Sequence, residues 1–188
     1  TPTDGLNVNG NIQIGDNTLK TFSNVCIGDN ASAISTAAGT PTNRIAIGRW
    51  AGNSIQSGHS IAVGRQAGNY RQGLSLGYAI AMGYLSGSSS QGGYAVAVGF
   101  TAGKNSQNNY SVAIGLQAGA GGQGSSSVAI GTYAGTYMQK ADSVAVGPFA
   151  GSNDQGQYAV AVGRSAGRSA QSSKAVAVGD LAGWYLQG

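Results

Sequence analysis

The feature that most constrains this chain is a glycine that recurs at nearly constant spacing. Seven of the eight intervals between successive members are sixteen residues, and the exception, from Gly64 to Gly83, is nineteen. The nine members are Gly48, Gly64, Gly83, Gly99, Gly115, Gly131, Gly147, Gly163 and Gly179. Each follows a short apolar run and opens the same phrase. A fixed short period is typical of solenoids, in which each repeat forms one coil that stacks on its neighbours.

Each repeat predicts a short β-strand that ends at this glycine. With the glycine as position 0, positions −3 and −1 are aliphatic in all nine repeats, as in Val112 and Ile114. Alternating aliphatic residues, most of them β-branched, are typical of a strand with one buried face, so we expect these side chains to fill the coil interior. Glycine then ends the strand, where a bend or a positive φ costs least.

Position −2, on the other face of the strand, is alanine in every repeat. An exposed strand position normally varies among larger polar residues, so uniform small residues indicate close packing against another surface. We predict a subunit interface here, with a flat exposed face as the alternative. Two or three small aliphatic groups per coil supply little apolar area, so association would add stabilisation that one chain lacks. The candidate interface residues are Ala97, Ala113, Ala129, Ala145 and Ala161.

Glutamine occupies position +8 in every repeat. Coils of a β-solenoid stack about 4.8 Å apart, so these side chains would form a ladder of amides hydrogen-bonded from coil to coil. We favour this structural role over a ligand site. The three extra residues after Gln72 predict a bulge in the variable loop, which spans positions +5 to +11. The ladder candidates are Gln91, Gln107, Gln123, Gln139, Gln155 and Gln171.

The sequence divides into a regular part and an irregular N-terminal part. Residues 44–188 form the predicted solenoid of nine coils, and residues 1–43 a cap or adaptor with degenerate coils. Residues 12–17 and 25–30 echo the phrase, whereas residues 31–43 are predicted to form a connecting loop. Terminal repeats of solenoids are usually atypical. The chain ends halfway through a repeat, so we expect a fragment or a processed product.

The composition argues against several classes of protein. With 9% charged and 41% hydrophobic residues, the chain is too apolar for a disordered one. The net charge of +4 comes from cations that never cluster, so we predict no nucleic-acid binding. No apolar stretch approaches the about 20 residues that span a bilayer, so we predict no membrane insertion. A single cysteine excludes an intrachain disulfide.

Catalytic residues are sparse. His59 is the only histidine, and the six acidic residues are scattered aspartates, so neither a metal site nor a Ser-His-Asp triad is predicted. Residues 99–105 resemble a phosphate loop, but no Ser or Thr follows Lys104, and the glycines belong to the repeat. We predict a protein without catalytic activity, metal or cofactor.

Four tyrosines, Tyr78, Tyr94, Tyr110 and Tyr158, share position −5 at the entrance to the strand. Tyrosine is a rigid amphipathic contact residue, so an exposed row of it would suit a receptor protein or a glycan. The alternative is that these rings cover loop edges or neighbouring subunits.

The phrase Ser-Val-Ala-Ile-Gly, which occurs at 111–115 and 127–131, resembles the head repeat of trimeric autotransporter adhesins. Here the coil is longer than in that family, and Ala-Gly followed by glutamine at +8 replaces its simpler turn. The fuller phrase is similar to repeats in tail fibres of bacteriophages and in fibres of large viruses. These resemblances imply an all-β, left-handed parallel β-solenoid (a β-roll) with 16-residue coils that forms a homotrimer.

The first functional expectation is a structural segment of a virion tail fibre. Such a trimeric rod would serve as a spacer and in host attachment, with other fibre or virion subunits and a host-surface glycan or protein as partners. The second is the head of a bacterial trimeric autotransporter adhesin. Both imply a location on the virion or at the cell surface. A third, an ice-binding solenoid, would need a threonine-rich flat face that the repeat lacks.

Overall fold

The computed structural model describes residues 24–31, 43–74 and 76–187. In this part of the chain the regular elements are all β-strands, which stack as a parallel β-solenoid of about nine turns. The predicted all-β solenoid is therefore confirmed. The left hand of the coils and the trimer remain predictions. The echo at residues 12–17 and most of the loop predicted at 31–43 lie outside the described residues.

Seventeen strands of three to five residues occur in the described part. They are β1 (Asn24–Ile27), β2 (Arg44–Ile47), β3 (Ser54–Gln56), β4 (Ile61–Val63), β5 (Tyr70–Leu74), β6 (Ile80–Met82), β7 (Ser89–Gly92), β8 (Val96–Val98), β9 (Asn105–Gln107), β10 (Val112–Ile114), β11 (Val128–Ile130), β12 (Val144–Val146), β13 (Asn153–Gln155), β14 (Val160–Val162), β15 (Ser169–Gln171), β16 (Val176–Val178) and β17 (Tyr185–Gln187).

One wall of the solenoid is a ten-stranded parallel sheet in the order β1-β2-β4-β6-β8-β10-β11-β12-β14-β16. These strands occupy positions −3 to −1, and they pair in phase, so Ala113 lies between Ala97 and Ala129. Strand β1 joins the same sheet with Cys26 opposite Ala46. Coil-like pairing therefore extends into the N-terminal part, at least to residue 24.

The opposite wall consists of the strands at positions +6 to +8. They form a four-stranded sheet, β3-β5-β7-β9, and a three-stranded sheet, β13-β15-β17. Isolated bridges from Gln107 through Gln123 to Gln139, and between Tyr137 and Asn153, join the two sheets. Equivalent residues of successive coils are thus neighbours along this wall as well.

The alanines fill the interior, and the larger aliphatic residues lie outside. In the described residues every buried hydrophobic residue is an alanine. The alanines at −2 pack against those at +3, whereas Ile114 and Ile130 are 38% and 37% exposed. The expectation that positions −3 and −1 fill the coil was therefore wrong, because the two walls lie too close together to hold branched side chains.

The same finding corrects the predicted subunit interface. Ala97, Ala113, Ala129, Ala145 and Ala161 are all 0% exposed within a single chain. Their methyl groups belong to the chain's own core, so they cannot contact another subunit, and the prediction was wrong. The uniform small residues do reflect close packing, but the packing partner is the opposite wall of the same coil.

The repeat glycine is required by the distance between coils. Gly131 has a φ of +126°, and a Cβ there would lie 2.8 Å from the backbone C and O of Gly147. The glycine at +4 faces the interior instead: a Cβ on Gly119 would lie 2.8 Å from Oε1 of Gln123. Real Cβ atoms do not approach other atoms so closely. Steric crowding therefore explains why both positions are invariant.

The predicted bulge after Gln72 is confirmed. The pairing of β5 with β7 shifts register between Gln72 and Leu74, and the N–H of Gly77 donates to the carbonyl of Gly73 at 2.8 Å. At +3 of the following coil stands Ser86, whose hydroxyl donates to the Gly83 carbonyl. The alanine core consists of two clusters that meet at this coil.

Replacing Gly131 by alanine should destabilise the fold more than replacing Gly122. Gly122 has a similar φ, +133°, but no atom lies within 4 Å of a Cβ placed there. Gly122→Ala should therefore cost only the backbone strain, about 1–3 kcal/mol. Gly131→Ala adds the collision with the next coil, and its loss in chemical denaturation should be clearly larger. Equal losses would mean that φ alone selects glycine at position 0.

Candidate functional site

The glutamines at +8 connect the two walls of each coil. The Nε2 group of Gln123 donates to the carbonyl of Val112 in its own coil at 2.7 Å and to that of Ser127 in the next coil at 3.2 Å. The side chain is 1% exposed. Buried amides need such partners, because leaving one unpaired costs about 1–3 kcal/mol in mutational data. The glutamines therefore hold the interior together.

The amide ladder is confirmed for three steps. Nε2 donates to Oε1 of the next glutamine at 3.2 Å from Gln91 to Gln107, from Gln107 to Gln123, and from Gln155 to Gln171. The buried Oε1 atom of Gln139 has no hydrogen-bond partner, and the same holds for Gln155. Gln139 still donates to the Val128 and Ser143 carbonyls. The contacts with backbone carbonyls, rather than the ladder, recur in every one of these coils.

Gln123→Glu should destabilise the protein in a pH-dependent way. The introduced carboxylate would face two carbonyl oxygens in a buried site, so its pKa in the folded state should rise above the unfolded value of about 4.3. The variant should approach wild-type stability below about pH 4 and lose stability as the pH rises through the raised pKa. Thermal unfolding at several pH values measures this.

Gln157→Glu provides the control for this experiment. Its side chain is partly exposed, and the substitution introduces the same charge without facing the interior carbonyls. Its melting temperature should follow that of the wild type at every pH. An equal pH-dependent loss in both variants would contradict the assigned role of Gln123.

Three of the four candidate tyrosines form a stack along the rod. Ring centroids lie 5.0 Å apart from Tyr78 to Tyr94 and 5.3 Å from Tyr94 to Tyr110, with interplanar angles of 10° and 9°. His59 extends the stack at 4.8 Å from Tyr78. The sequence reasoning considered His59 only as a catalytic or metal-binding candidate and did not connect it with these tyrosines, although it also stands at −5. Its shared repeat position was the signal that could have found it.

The stack limits what each tyrosine can offer to a ligand. Both ring faces of Tyr78 and of Tyr94 are covered by neighbouring rings, so only edges and hydroxyl groups are free. Tyr110 has a ring on one side only, because the next residue of the column is Ser126. Tyr158 is 53% exposed, and in the described part of the chain it has no ring partner. The structure thus separates Tyr158 from the other three candidates.

A second aromatic array, which the sequence reasoning missed, lies between positions +2 and +5. Tyr133 and Phe149 stack at 5.1 Å with an interplanar angle of 10°. The guanidinium of Arg168 lies 5.1 Å from the Phe149 ring centroid and 5.9 Å from that of Trp184. Positions +2 and +5 belong to different columns of the repeat, and only the turn between the walls brings them together.

Two surface cavities open beside this array. The first measures about 190 Å³. The second measures about 180 Å³ and shares Thr136 and Tyr137 with the first. The first is lined by Tyr133, Thr136, Tyr137, Phe149, Ser152, Asn153 and Arg168. The second is lined by Thr101, Lys104, Asn105, Gln117, Ala120, Gly121, Thr136 and Tyr137. Neither lining contains a carboxylate.

The outer side of the ten-stranded sheet is an apolar stripe, which we call the aliphatic face. It consists of the residues at −3 and −1, which are half-buried or exposed in every repeat. With coils about 4.8 Å apart, nine repeats make the stripe ~40 Å long. Soluble monomers rarely expose large contiguous apolar patches, and such patches mark interaction surfaces.

Two charged groups outside these cavities have shifted pKa values. Arg164 and Asp180 form an ion pair of 2.7 Å between successive coils, and hydrogen bonding to Asp180 raises the pKa of Arg164. Both side chains are more than half exposed, so the pair adds little stability. Burial lowers the pKa of Arg44, which stands at −4 in the first regular coil.

Several further observations concern the described residues alone. No three His, Cys, Asp or Glu side chains come together there in a way that could hold a metal ion. A helix of the length and apolarity needed to cross a bilayer is likewise not found among them.

Comparison of the chain with protein-family models, with curated proteins and with solved structures finds no match.

Proposed function

We propose that the chain is a segment of a fibre that associates through its aliphatic face into a homotrimeric rod. In a virion tail fibre this rod would act as a spacer and present its lateral surfaces to the host. We assign it no catalytic role. The observation that carries the proposal is the aliphatic face itself, an apolar stripe that runs the length of the solenoid and that one chain leaves uncovered.

The energetics favour association. Among the described residues alanine is the only type of hydrophobic residue that is buried, whereas complete burial of a Val or Ile side chain contributes about 1.5–3 kcal/mol. The aliphatic face has two such side chains in each of nine repeats, all at least partly exposed. Even a fraction of that gain, summed over the stripe, matches the about 5–15 kcal/mol by which a typical domain is stable.

The backbone supports a role as a stiff spacer. Each coil hydrogen-bonds to both neighbours: in one coil Gly115 donates to the Val98 carbonyl of the coil before, and Val112 donates to the Ser127 carbonyl of the coil after. Such bonds recur on both walls and at the turns. A rod with this many regular cross-links resists bending. The number of chains, three, is supported by the sequence resemblance.

A bacterial adhesin head is the second candidate function, favoured by the phrase Ser-Val-Ala-Ile-Gly at 111–115. The full-length reading frame distinguishes the two. A membrane-anchor barrel at the C-terminus would establish an adhesin. A virion-attachment region or a C-terminal folding chaperone would establish a fibre. The ice-binding alternative gains no support, since the outward side chains of the ten-stranded sheet are aliphatic rather than threonine.

Charges placed on the aliphatic face should dissociate the assembly. The double variant Ile114→Lys, Ile130→Lys would set two ammonium groups in the proposed interface without touching the alanine core. We expect it to sediment as a folded monomer where the wild type sediments as a trimer. In contrast, Ala113→Glu should unfold the chain, because its methyl group is fully enclosed.

Ser126→Lys is the control for this prediction. It adds one of the same ammonium groups at an exposed position of the −5 column, away from the aliphatic face, and should leave the trimer intact. A wild-type chain that sediments as a monodisperse monomer would refute the proposal. So would a trimer that persists in the double variant. Circular dichroism distinguishes dissociation from unfolding in each case.

A further inference from the structure

We propose that the cavity of about 190 Å³ between Tyr133, Phe149 and Arg168 binds one acidic sugar ring of a surface glycan. We call it the aromatic cavity. The inference rests on the proposed function in one respect, since it names the ligand class that the lateral surface of the rod would recognise. The site itself is formed within a single chain.

The size of the aromatic cavity suits a single ring. It is smaller than the about 300 Å³ at which pockets begin to enclose a whole drug-sized ligand. Two of its lining residues, Thr136 and Ser152, are buried, at 3% and 5% exposed, and we take them as its base. Tyr137 rises beside them with 60% of its surface exposed. A shallow site with a fixed base and an aromatic wall fits a flat group such as a pyranose.

The walls combine the two kinds of contact that a sugar needs. The stacking of Tyr133 on Phe149 fixes the ring of Tyr133, whose other face, with the largely exposed ring of Tyr137, would meet the C–H groups of a pyranose; these carry the weak positive charge that aromatic faces attract. Asn153 and the Tyr137 hydroxyl add donors and acceptors for sugar hydroxyl groups. A few oriented polar groups among aromatic ones are typical of specific small-ligand sites.

The charge of the lining selects an acidic sugar over a neutral one. Arg168 is positioned by Phe149 and Trp184, and no carboxylate lines the cavity to neutralise it. Asp154 follows Asn153 in the sequence, but its Oδ1 atom lies 4.0 Å from Nζ of Lys140 and it is not part of the lining. A guanidinium binds a carboxylate through two parallel hydrogen bonds, which gives both affinity and geometry.

The neighbouring cavity extends the site along the rod. It shares the Tyr137 wall, measures about 180 Å³, and also has one cation, Lys104, and no carboxylate. Two adjoining ring-sized sites, each with one cation, suit consecutive units of an acidic oligosaccharide. None of the lining residues belongs to the aliphatic face, so the proposed association would not use them.

The experiment compares two matched probes by isothermal titration calorimetry on the whole chain. One is the linear trimer of galacturonic acid, and the other is the corresponding trimer of galactose, in which a hydroxymethyl group replaces each carboxylate. The wild type should bind the acidic trimer more tightly. Arg168→Gln should weaken binding of the acidic trimer about ten-fold or more, as expected for loss of a charged hydrogen-bond pair, and barely change the neutral one.

The variants separate recognition from structure. Tyr137→Ala should weaken binding of both trimers, because its ring contributes to both cavities. Arg65→Gln is the matched control: it removes another arginine that lies over an aromatic ring, 5.6 Å from Tyr84, outside both cavities. Its binding should equal that of the wild type. Each variant is checked for an unchanged melting temperature, and Arg168→Lys retains the charge if the glutamine variant does not fold.

Several outcomes would overturn the inference. These are no binding of the acidic trimer by folded wild type, equal binding of both trimers, or undiminished binding by both Arg168→Gln and Tyr137→Ala. The result is independent of the fibre proposal. If the protein is a monomer and binds the acidic sugar trimer, the fibre proposal is refuted and the sugar site is kept. If the protein is a homotrimer and binds neither sugar probe, the sugar site is refuted and the fibre proposal is kept.

Discussion

The narrow gap between the two walls of each coil governs the rest of the structure. It admits a methyl group from each side, at Ala113 and Ala118 for instance, and both are fully buried. Beyond the methyl groups each regular coil holds the glutamine at +8, joined in the first of them by Arg44, and the glutamine must be able to donate to carbonyls of the facing wall. Glutamine meets this requirement, whereas a hydrocarbon of equal length would leave the carbonyls without these bonds. Polar cross-linking therefore replaces a conventional hydrophobic core.

The same gap forces the branched side chains outward. A strand has only two faces, so once alanine occupies the inner one, Val112 and Ile114 must lie on the outer one. The chain then buries little apolar surface inside and exposes a long apolar stripe outside. Backbone hydrogen bonds between coils fix the geometry, but they add only modest net stability, about 0.5–1.5 kcal/mol each. Association would bury the outer face and convert it into a core. The proposed trimer therefore follows from the thin interior of the single chain.

Much of the fold was predictable because each coil makes the same contacts with the next coil. The period places residues sixteen apart in register, and this was enough for the strands, the glutamine ladder and the bulge after Gln72. Which strand face points inward was not predictable from alternation, which is symmetrical between the two faces. The usual rule that larger apolar residues lie inside fails when the walls are close. Alanine stands at −2 in every repeat and at +3 in all but one. Two such columns of methyl groups facing each other imply a narrow interior, and this pattern could have identified the inner face.

The surface follows from stacking in the same way. Residues at one repeat position become neighbours about 5 Å apart, so an unbroken run of aromatic residues covers its own ring faces, as at Tyr78 and Tyr94. Such a run stiffens the rod but offers little to a ligand. Binding of a ligand to the rings requires a place where the run of aromatic residues stops. In the second array the +2 column is interrupted by Ser165 after the stacked pair of Tyr133 and Phe149, and Arg168 at +5 sets a cation beside the rings of Phe149 and Trp184. The four tyrosines predicted at −5 share a repeat position, yet this cavity draws on three columns, and single-column reasoning could not have found it. In a solenoid of this kind, uniform columns support the rod, and the places where neighbouring columns differ are where specificity can arise.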